Sequence, residues 1–377
     1  MRIAVAIVAV ALAVPASAAA ASDGLARTPP MGWSSWNHFG CGIDERTVRE
    51  TADALVRSGM RDAGYRYVNV DDCWMAASRD SAGRLRANPD SFPSGIPALA
   101  AYVHARGLRL GLYTSVGART CQGLPGLAGH ERGDLERIAS WGVDYLKVDF
   151  CGADRVTRAE PAPAYARVRD ALVRSGRRLV LGICTWGRGT PWRWGARVGH
   201  MWRVAGDIRA SWRSVLHSAV RSARHAGAAG PGGWNDPDSL EVGNRGMTAR
   251  EQRAHVSLWA VLAAPLIAGN DVRAMSRATR RILLNREVVA VDQDRRGSQG
   301  RRLRRGRHEV WARRLSHGAR AVLLLNRGRD TEVLSYRLGP RRRYRVRDLW
   351  RHRWRRSGPV LRARVRGHAA ALFRIPR

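Results

Sequence analysis

Residues 141–151 read WGVDYLKVDFC, and the eight residues VDYLKVDF (143–150) decide the fold. They form an apolar, β-rich run, which predicts a strand, yet that strand closes on Asp149. A buried strand has no reason to end in charge unless that end opens onto something polar. The same kind of run recurs on either side. MGWSSW (31–36), YRYVNVDD (65–72) and GLRLGLYT (107–114) precede it. RLVLGIC (178–184), HMWRVAGD (200–207), a short run ahead of GGWNDPD (232–238), and PLIAGND (265–271) follow. Eight such runs at about 30-residue spacing, separated by helical stretches, predict βα units closing into a (β/α)8 barrel. An open doubly wound sheet is the rival, but no GxGxxG follows the first run.

The runs end alike: on Trp36, Asp71 and Asp72, Asp149, Cys184, Asp207, and Asp236 with Asp238. In a barrel the C-terminal strand ends build the active site. One aspartate at such an end is often a helix N-cap, but six ends of this kind on one face exceed what capping needs. Lys147 and Asp149 lie two apart on one strand and so point the same way. An ammonium beside a carboxylate keeps it ionised, as a nucleophile requires; a structural ion pair is the plainer alternative. Lys147 is the only lysine among 66 basic residues, a compact charge where a planar guanidinium would not fit. Paired carboxylates beside tryptophans suit sugar chemistry. Hydroxyls bond to carboxylates, the apolar face of a pyranose lies on indole, and glycoside hydrolysis needs two carboxyl groups across the scissile bond.

After about residue 296 the pattern changes. HEVWARRL, ARAVLLLN, TEVLSYRL, YRVRDLW and HAAALFRI are short strands punctuated by Gly, Arg and Pro, with no helical stretch between them. They predict a C-terminal antiparallel β-sandwich with its arginines facing outward. The expected organisation is a signal peptide over 1–22, a catalytic barrel over 23–294 and the sandwich over 295–377. The chain carries a net +35 on 377 residues, and 27 arginines against four acids fall in the last 83. Two readings stand: compositional drift in an arginine-rich proteome, or attraction to an anionic cell-surface polymer. No zinc-finger, RNP or helix-turn-helix pattern accompanies the charge, which excludes dedicated nucleic-acid readout.

The N-terminus, MRIAVAIVAVALAVPASAAAASDG, sets one arginine before an apolar run and then Ala16-Ser17-Ala18. That is the form of a secretory signal, too short to span a membrane, and it predicts an extracellular protein with no transmembrane segment. Five cysteines (Cys41, Cys73, Cys121, Cys151, Cys184) fit two disulfides and one free thiol, their pairing left open; no metal-ligand spacing is present.

TPPMGWSSWNHFGC, YVNVDDCW, FPSGIPALAAYVHARGLRLGLYT, WGVDYLKVDFC, WRVAGDI and GPGGWNDPDSLEVGN together resemble glycoside hydrolase family 27, the family of α-galactosidases and α-N-acetylgalactosaminidases. The resemblance runs in order from about residue 24 to 300. It implies that Asp149 is the nucleophile and Asp207 the general acid/base. Asp71 and Asp72 would bind the 4- and 6-hydroxyls of galactose, Trp36 would form the stacking wall, and Lys147 would hold hydroxyls beside the nucleophile. Arg203 would contact the 2-hydroxyl, with Cys184 and Trp186 walling the 2-position. Tyr113, Cys121 and Asp238 would line the rest of the pocket. It further implies disulfides Cys41–Cys73 and Cys121–Cys151, a free Cys184, and no metal or organic cofactor. The chain departs from the family pattern at Ser34, Ser115, Val148, Phe150, Thr185 and Ser239. Thr185 and Ser239 bear on specificity at the 2-substituent and the pocket floor. The expected activity is a secreted retaining exo-α-galactosidase acting on α-galactoside oligosaccharides or polysaccharides. The rivals are an α-N-acetylgalactosaminidase, a β-L-arabinopyranosidase, or, in another class, a non-catalytic galactose or cell-wall binding protein.

Overall fold

Eight short parallel strands form one curled sheet: β1 (Met31–Ser34), β2 (Tyr67–Asn69), β3 (Arg109–Ser115), β4 (Tyr145–Asp149), β5 (Val180–Cys184), β6 (Met201–Arg203), β7 (Trp234–Asp236) and β8 (Leu266–Ala268). The computed structural model describes residues 23–153, 160–340 and 342–377; the signal segment expected at 1–22 lies outside the described residues. β1 pairs with both β2 and β8, and a parallel bridge from Leu240 to Ala268 draws the β7 side towards β8. Seven of the runs expected as barrel strands contain one; the other strand, β7, falls on WND inside GGWNDPD rather than in the short run ahead of it.

The strands are shorter than their runs. β2 stops at Asn69 and β6 at Arg203, so Asp71, Asp72 and Asp207 stand on the loops that follow rather than on the ladder. Inside the barrel the small residues make room for large ones. A Cβ on Gly182 would come within 2.5 Å of the Tyr145 hydroxyl, and one on Gly111 within 2.0 Å of Asn69 Oδ1. Only glycine fits at these close approaches.

The outer helices are α1 (Trp36–Phe39), α2 (Glu45–Arg57), α3 (Gly95–His104), α4 (Glu131–Ser140), α5 (Pro161–Arg174), α6 (Trp212–Ala223), α7 (Ala249–Leu262), α8 (Arg277–Leu283) and α9 (Arg286–Asp292). Several begin on side-chain caps: Asp44 accepts from Thr47 N at 2.7 Å, and Thr248 with Glu251 forms a reciprocal capping box. From Ala254 to Leu262 helix α7 is buried all round, which marks it as covered on both sides. One side is the barrel. The other is the C-terminal domain.

That domain comprises β9 (Arg301–Arg304), β10 (His308–Arg314), β11 (Arg320–Asn326), β12 (Glu332–Arg337), β13 (Tyr344–Asp348), β14 (Arg353–Ser357), β15 (Val360–Val365) and β16 (Ala369–Ile375). Six strands, in the order β14-β13-β16-β11-β10-β9, face the pair β12-β15. β11 shows why the apolar run ARAVLLLN is unbroken. Val322 and Leu324 point into the sandwich, while Ala321, Leu323 and Leu325 join the barrel's core. The domain is thus fused to the barrel through a continuous apolar interface.

Most of its arginines do face outward, but Arg313 does not. On β10 it shares the barrel-facing side with Trp311 and is 1% exposed. Its Nη1 donates to the carbonyls of Ala260 (2.7 Å) and Asp292 (3.0 Å). The physical reason is the second neighbour: this face of the sheet meets α7 rather than water. Beside it, burial pushes the Asp292 carboxyl up to about 8, against the opposing pull of Arg313.

Candidate active site

The C-terminal strand ends open onto one cavity of about 1030 Å³, and all twelve residues expected to react with or bind substrate line it. They arrive from seven of the eight strand ends, which is the arrangement the recurring strand-end pattern implied.

Its floor is β4. Lys147 and Asp149 project from the same side of the strand, and Lys147 Nζ stands 4.0 Å from Asp149 Oδ2. Its nearer partner is Asp71, at 2.9 Å, a contact between β4 and the loop after β2 that residue spacing could not reveal. One ammonium therefore ties two carboxylates together. Asp149 is 5% exposed, and its Oδ1 has no hydrogen-bond partner among the described residues. Burial raises its carboxyl to about 6, against Lys147, which favours ionisation. Burial alone would discharge Lys147; Asp149 and Asp71 outweigh it and hold the ammonium well above its ordinary range. Asp72 accepts from Cys73 N at 2.8 Å and Gln122 N at 3.1 Å, yet burial lifts its carboxyl too. Asp71 N donates to Ser35 Oγ at 2.9 Å, and this fixes the loop that carries both aspartates.

The opposite wall is organised by Arg203, at the end of β6 and 4% exposed. Its Nη2 stands 2.9 Å from Asp207 Oδ1 and 2.7 Å from Asp238 Oδ2. Asp238 also accepts from Ile208 N and Ser239 N, so it anchors Arg203 and the loop that carries Asp207. The Asp207 side chain stays 63% exposed to the cavity. Burial opposes its ionisation, but Arg203, Lys147 and the Trp186 indole, which donates at 3.1 Å, bring its carboxyl below the usual value. Cys184 sits between the two walls, 3.8 Å from Arg203 Nη1, its thiol raised well above normal by burial. Two carboxylates of different environment thus share one sugar-sized cavity, one sunk in its floor and one open at its wall.

Comparison with known proteins agrees with this geometry. Residues 28–294 match the family model described as "Alpha galactosidase A", and residues 305–375 match that of the "Alpha galactosidase C-terminal beta sandwich domain". The chain belongs to the α-galactosidase A family. It is 48% identical over 337 residues to an α-galactosidase of Oryza sativa subsp. japonica, covering 88% of this chain and 80% of that one. The fold matches α-galactosidase I of Mortierella vinacea with a TM-score of 0.91 at 34% identity, over 94% of this chain and 98% of that one. It matches an α-galactosidase of Saccharomyces cerevisiae, solved with raffinose, with a TM-score of 0.90 at 28% identity, over 94% and 99% of the two chains. The protein is a glycoside hydrolase.

The cysteines pair as the family pattern implies: Cys41 with Cys73, Cys121 with Cys151, and Cys184 reduced and buried. The second bridge sets Cys121 Sγ 3.2 Å from Asp149 Oδ2. Two of the departures from the family pattern, Ser115 and Thr185, have local explanations. Ser115 Oγ lies 3.0 Å from the Asp149 carbonyl and 2.7 Å from the Cys151 carbonyl, steadying the backbone on either side of Phe150. Thr185 is fully buried and its hydroxyl donates to the Arg188 carbonyl, so it serves its own loop and does not line the cavity. Ser34 and Ser239 do line it.

Several lining groups escaped the sequence reading. Glu241 accepts from both Asn37 and Asn244, a part-buried network joining α1 to the loop after β7. Asn37 lies 204 positions from Glu241, so no local signal links the two. Asp236 stands out as a strand end but has no place in the family carry-over; burial raises it to about 6. Among the described residues no helix is long and apolar enough to cross a membrane.

Proposed function

We propose that the chain is a secreted, retaining exo-α-galactosidase that removes terminal α-D-galactosyl residues from oligosaccharides or polysaccharides. The observation that carries this reading is Asp149: a buried carboxylate beside Lys147, with one oxygen unpartnered and a second carboxylate, Asp207, on the wall of the same cavity. Asp149 attacks the anomeric carbon and Asp207 gives its proton to the leaving oxygen, so the aglycone departs as an alcohol and a β-galactosyl ester forms. Asp207 then takes a proton from water as that water attacks the anomeric carbon. The ester bond breaks, and galactose leaves with α configuration.

Burial raises the Asp149 carboxyl, while Arg203 and Lys147 outweigh burial and hold that of Asp207 below its ordinary value. A 2-hydroxyl at Arg203 draws away a donor that serves Asp207 and so raises its carboxyl, the direction a proton donor needs. Asp71 and Asp72 bind the 4- and 6-hydroxyls, and Trp36 forms the stacking wall. Export is supported by the leader-like N-terminus and the two bridges. No cofactor has a role in these steps.

The test is hydrolysis of three nitrophenyl glycosides. α-D-Galactoside should be cleaved with a kcat/KM at least about tenfold above α-N-acetylgalactosaminide and β-L-arabinopyranoside. Two features favour that order. Thr185 stands away from the cavity and opens no space for an acetamido group, and both Asp71 and Asp72 are present to bind a hydroxymethyl arm. Galactose binding without cleavage of any of the three would make the protein a lectin-like binder.

A further inference from the structure

We propose that the cleft between helix α6 and strands β9 and β11 is a second carbohydrate site, built for an acidic polysaccharide. The cleft has a volume of about 570 Å³ and shares no lining residue with the galactoside cavity. On α6 and its C-cap the residues facing it are Arg213, His217, Arg221 and Arg224, at the 4-4-3 spacing of one helix face. That helix contains no acid, and Arg213, Arg221 and Arg224 make no ion pair among the described residues. Across the cleft stand Arg302 and Arg327, both held by the fully buried Glu309. Glu309, 0% exposed, takes both guanidinium groups on Oε1 while its Oε2 accepts from the Trp311 indole, so the two arginines are held in place by a carboxylate that is itself fixed to the core.

Between the two basic rims lies an apolar floor of Leu216 and Val220, closed at one end by Trp212. The Trp212 ring is stacked on His368 with centroids 5.2 Å apart, and Glu251 holds His368 in turn. Its Nε1 is buried with no acceptor among the described residues, an indole donor without a partner in the free protein. An apolar floor and indole meet the C–H face of a pyranose, while arginine forks take its carboxylates two oxygens at a time. Drift toward arginine explains the choice of arginine over lysine. It does not explain five arginines converging on one apolar floor. In the cleft beside α2, by contrast, the two lining arginines are paired with acids of the same cleft, Arg46 with Glu50 and Arg49 with Glu45.

The C-terminal domain cannot be cut away to test this, because Trp311, Leu323 and Leu372 belong to the barrel's core. Point variants serve instead. Binding of fluorescein-labelled polygalacturonate is followed by anisotropy at about 50 mM salt. The double variant R213S/R224S is compared with R356S/R364S, which removes the same charge from exposed positions on β14 and β15. The cleft pair should weaken binding at least about tenfold and the control pair less than about twofold. W212F, which replaces the indole by a smaller ring, should weaken it several-fold. Melting temperatures and nitrophenyl α-galactoside turnover should stay unchanged in both double variants, so that the loss belongs to the cleft. Equal weakening by the two pairs, or no binding by the parent protein, would overturn the proposal. So would a loss of duplex DNA binding as large as the loss for polygalacturonate, which would mark a site for any polyanion.

Discussion

The cavity end of the barrel and the outer face of the sandwich treat charge in opposite ways. Seven of the chain's 31 acids line one cavity, within a protein of net charge +35, and several are buried and bound to named partners. The sandwich and the loop leading into it carry 27 arginines, and most of those among the described residues lie open to water. Buried charge must be paired and placed to be tolerated, whereas exposed charge can accumulate with little effect on the fold. Position, not number, separates working charge from tolerated charge.

The largest effect should come from Asp149→Asn, which replaces the buried carboxylate of the floor by an uncharged amide. Turnover should fall by about four orders of magnitude or more, while stability at pH 7 rises. The sign follows from the raised carboxyl: its contribution to stability is complete below the ordinary value of 3.8 and is lost as pH climbs through about 6. Melting at pH 7 should therefore show Asp149→Asn the more stable by roughly 1–3 kcal/mol, and at pH 4 the gain should shrink. Equal melting at both values would mean that the site stores no such strain.

Asp207→Asn comes next. For a sugar leaving group, kcat should fall by roughly 10²–10⁴, and for nitrophenolate, which needs no proton, by much less. Losses of equal size for both leaving groups would remove Asp207 from the acid role. Where the sandwich meets the barrel, Arg313→Ala should cost about 1–3 kcal/mol by opening a cavity and orphaning two carbonyls, against less than about 0.5 for Arg364→Ser. Urea midpoints would report both, and similar values would dissolve the distinction between buried and exposed arginines.

The smallest effect expected is a displacement in pH. kcat/KM should decline below about pH 6 as Asp149 takes up its proton. Lys147→Met removes an ammonium that favours the ionised form, and so should move that limb upward by roughly a unit. A limb that stays in place would indicate that another group titrates there.

The barrel was legible in the sequence because its signal is local and repeated: each run is apolar and nearly all end in a residue that a buried strand would not choose. The sandwich was only half legible. β10, β11, β12, β13 and β16 show as apolar runs, but RRLR, RWRRS and VLRARV (β9, β14 and β15) are crowded with arginine and hide their strand character. What escaped in the site was long-range. The Lys147–Asp71 bond spans 76 residues and the Asn37–Glu241 bond 204, and no spacing rule reaches across a barrel. Arg313 escaped for a related reason: its burial depends on α7, which covers that sheet face.

The most direct test is the anomeric configuration of the first product, read by proton NMR within the first minutes of α-galactoside hydrolysis. Attack by Asp149, followed by water delivered through Asp207, predicts that α-galactose appears first and that the β-anomer grows in only by mutarotation. β-Galactose as the initial product would mean direct attack by water, and Asp149 would not be the nucleophile.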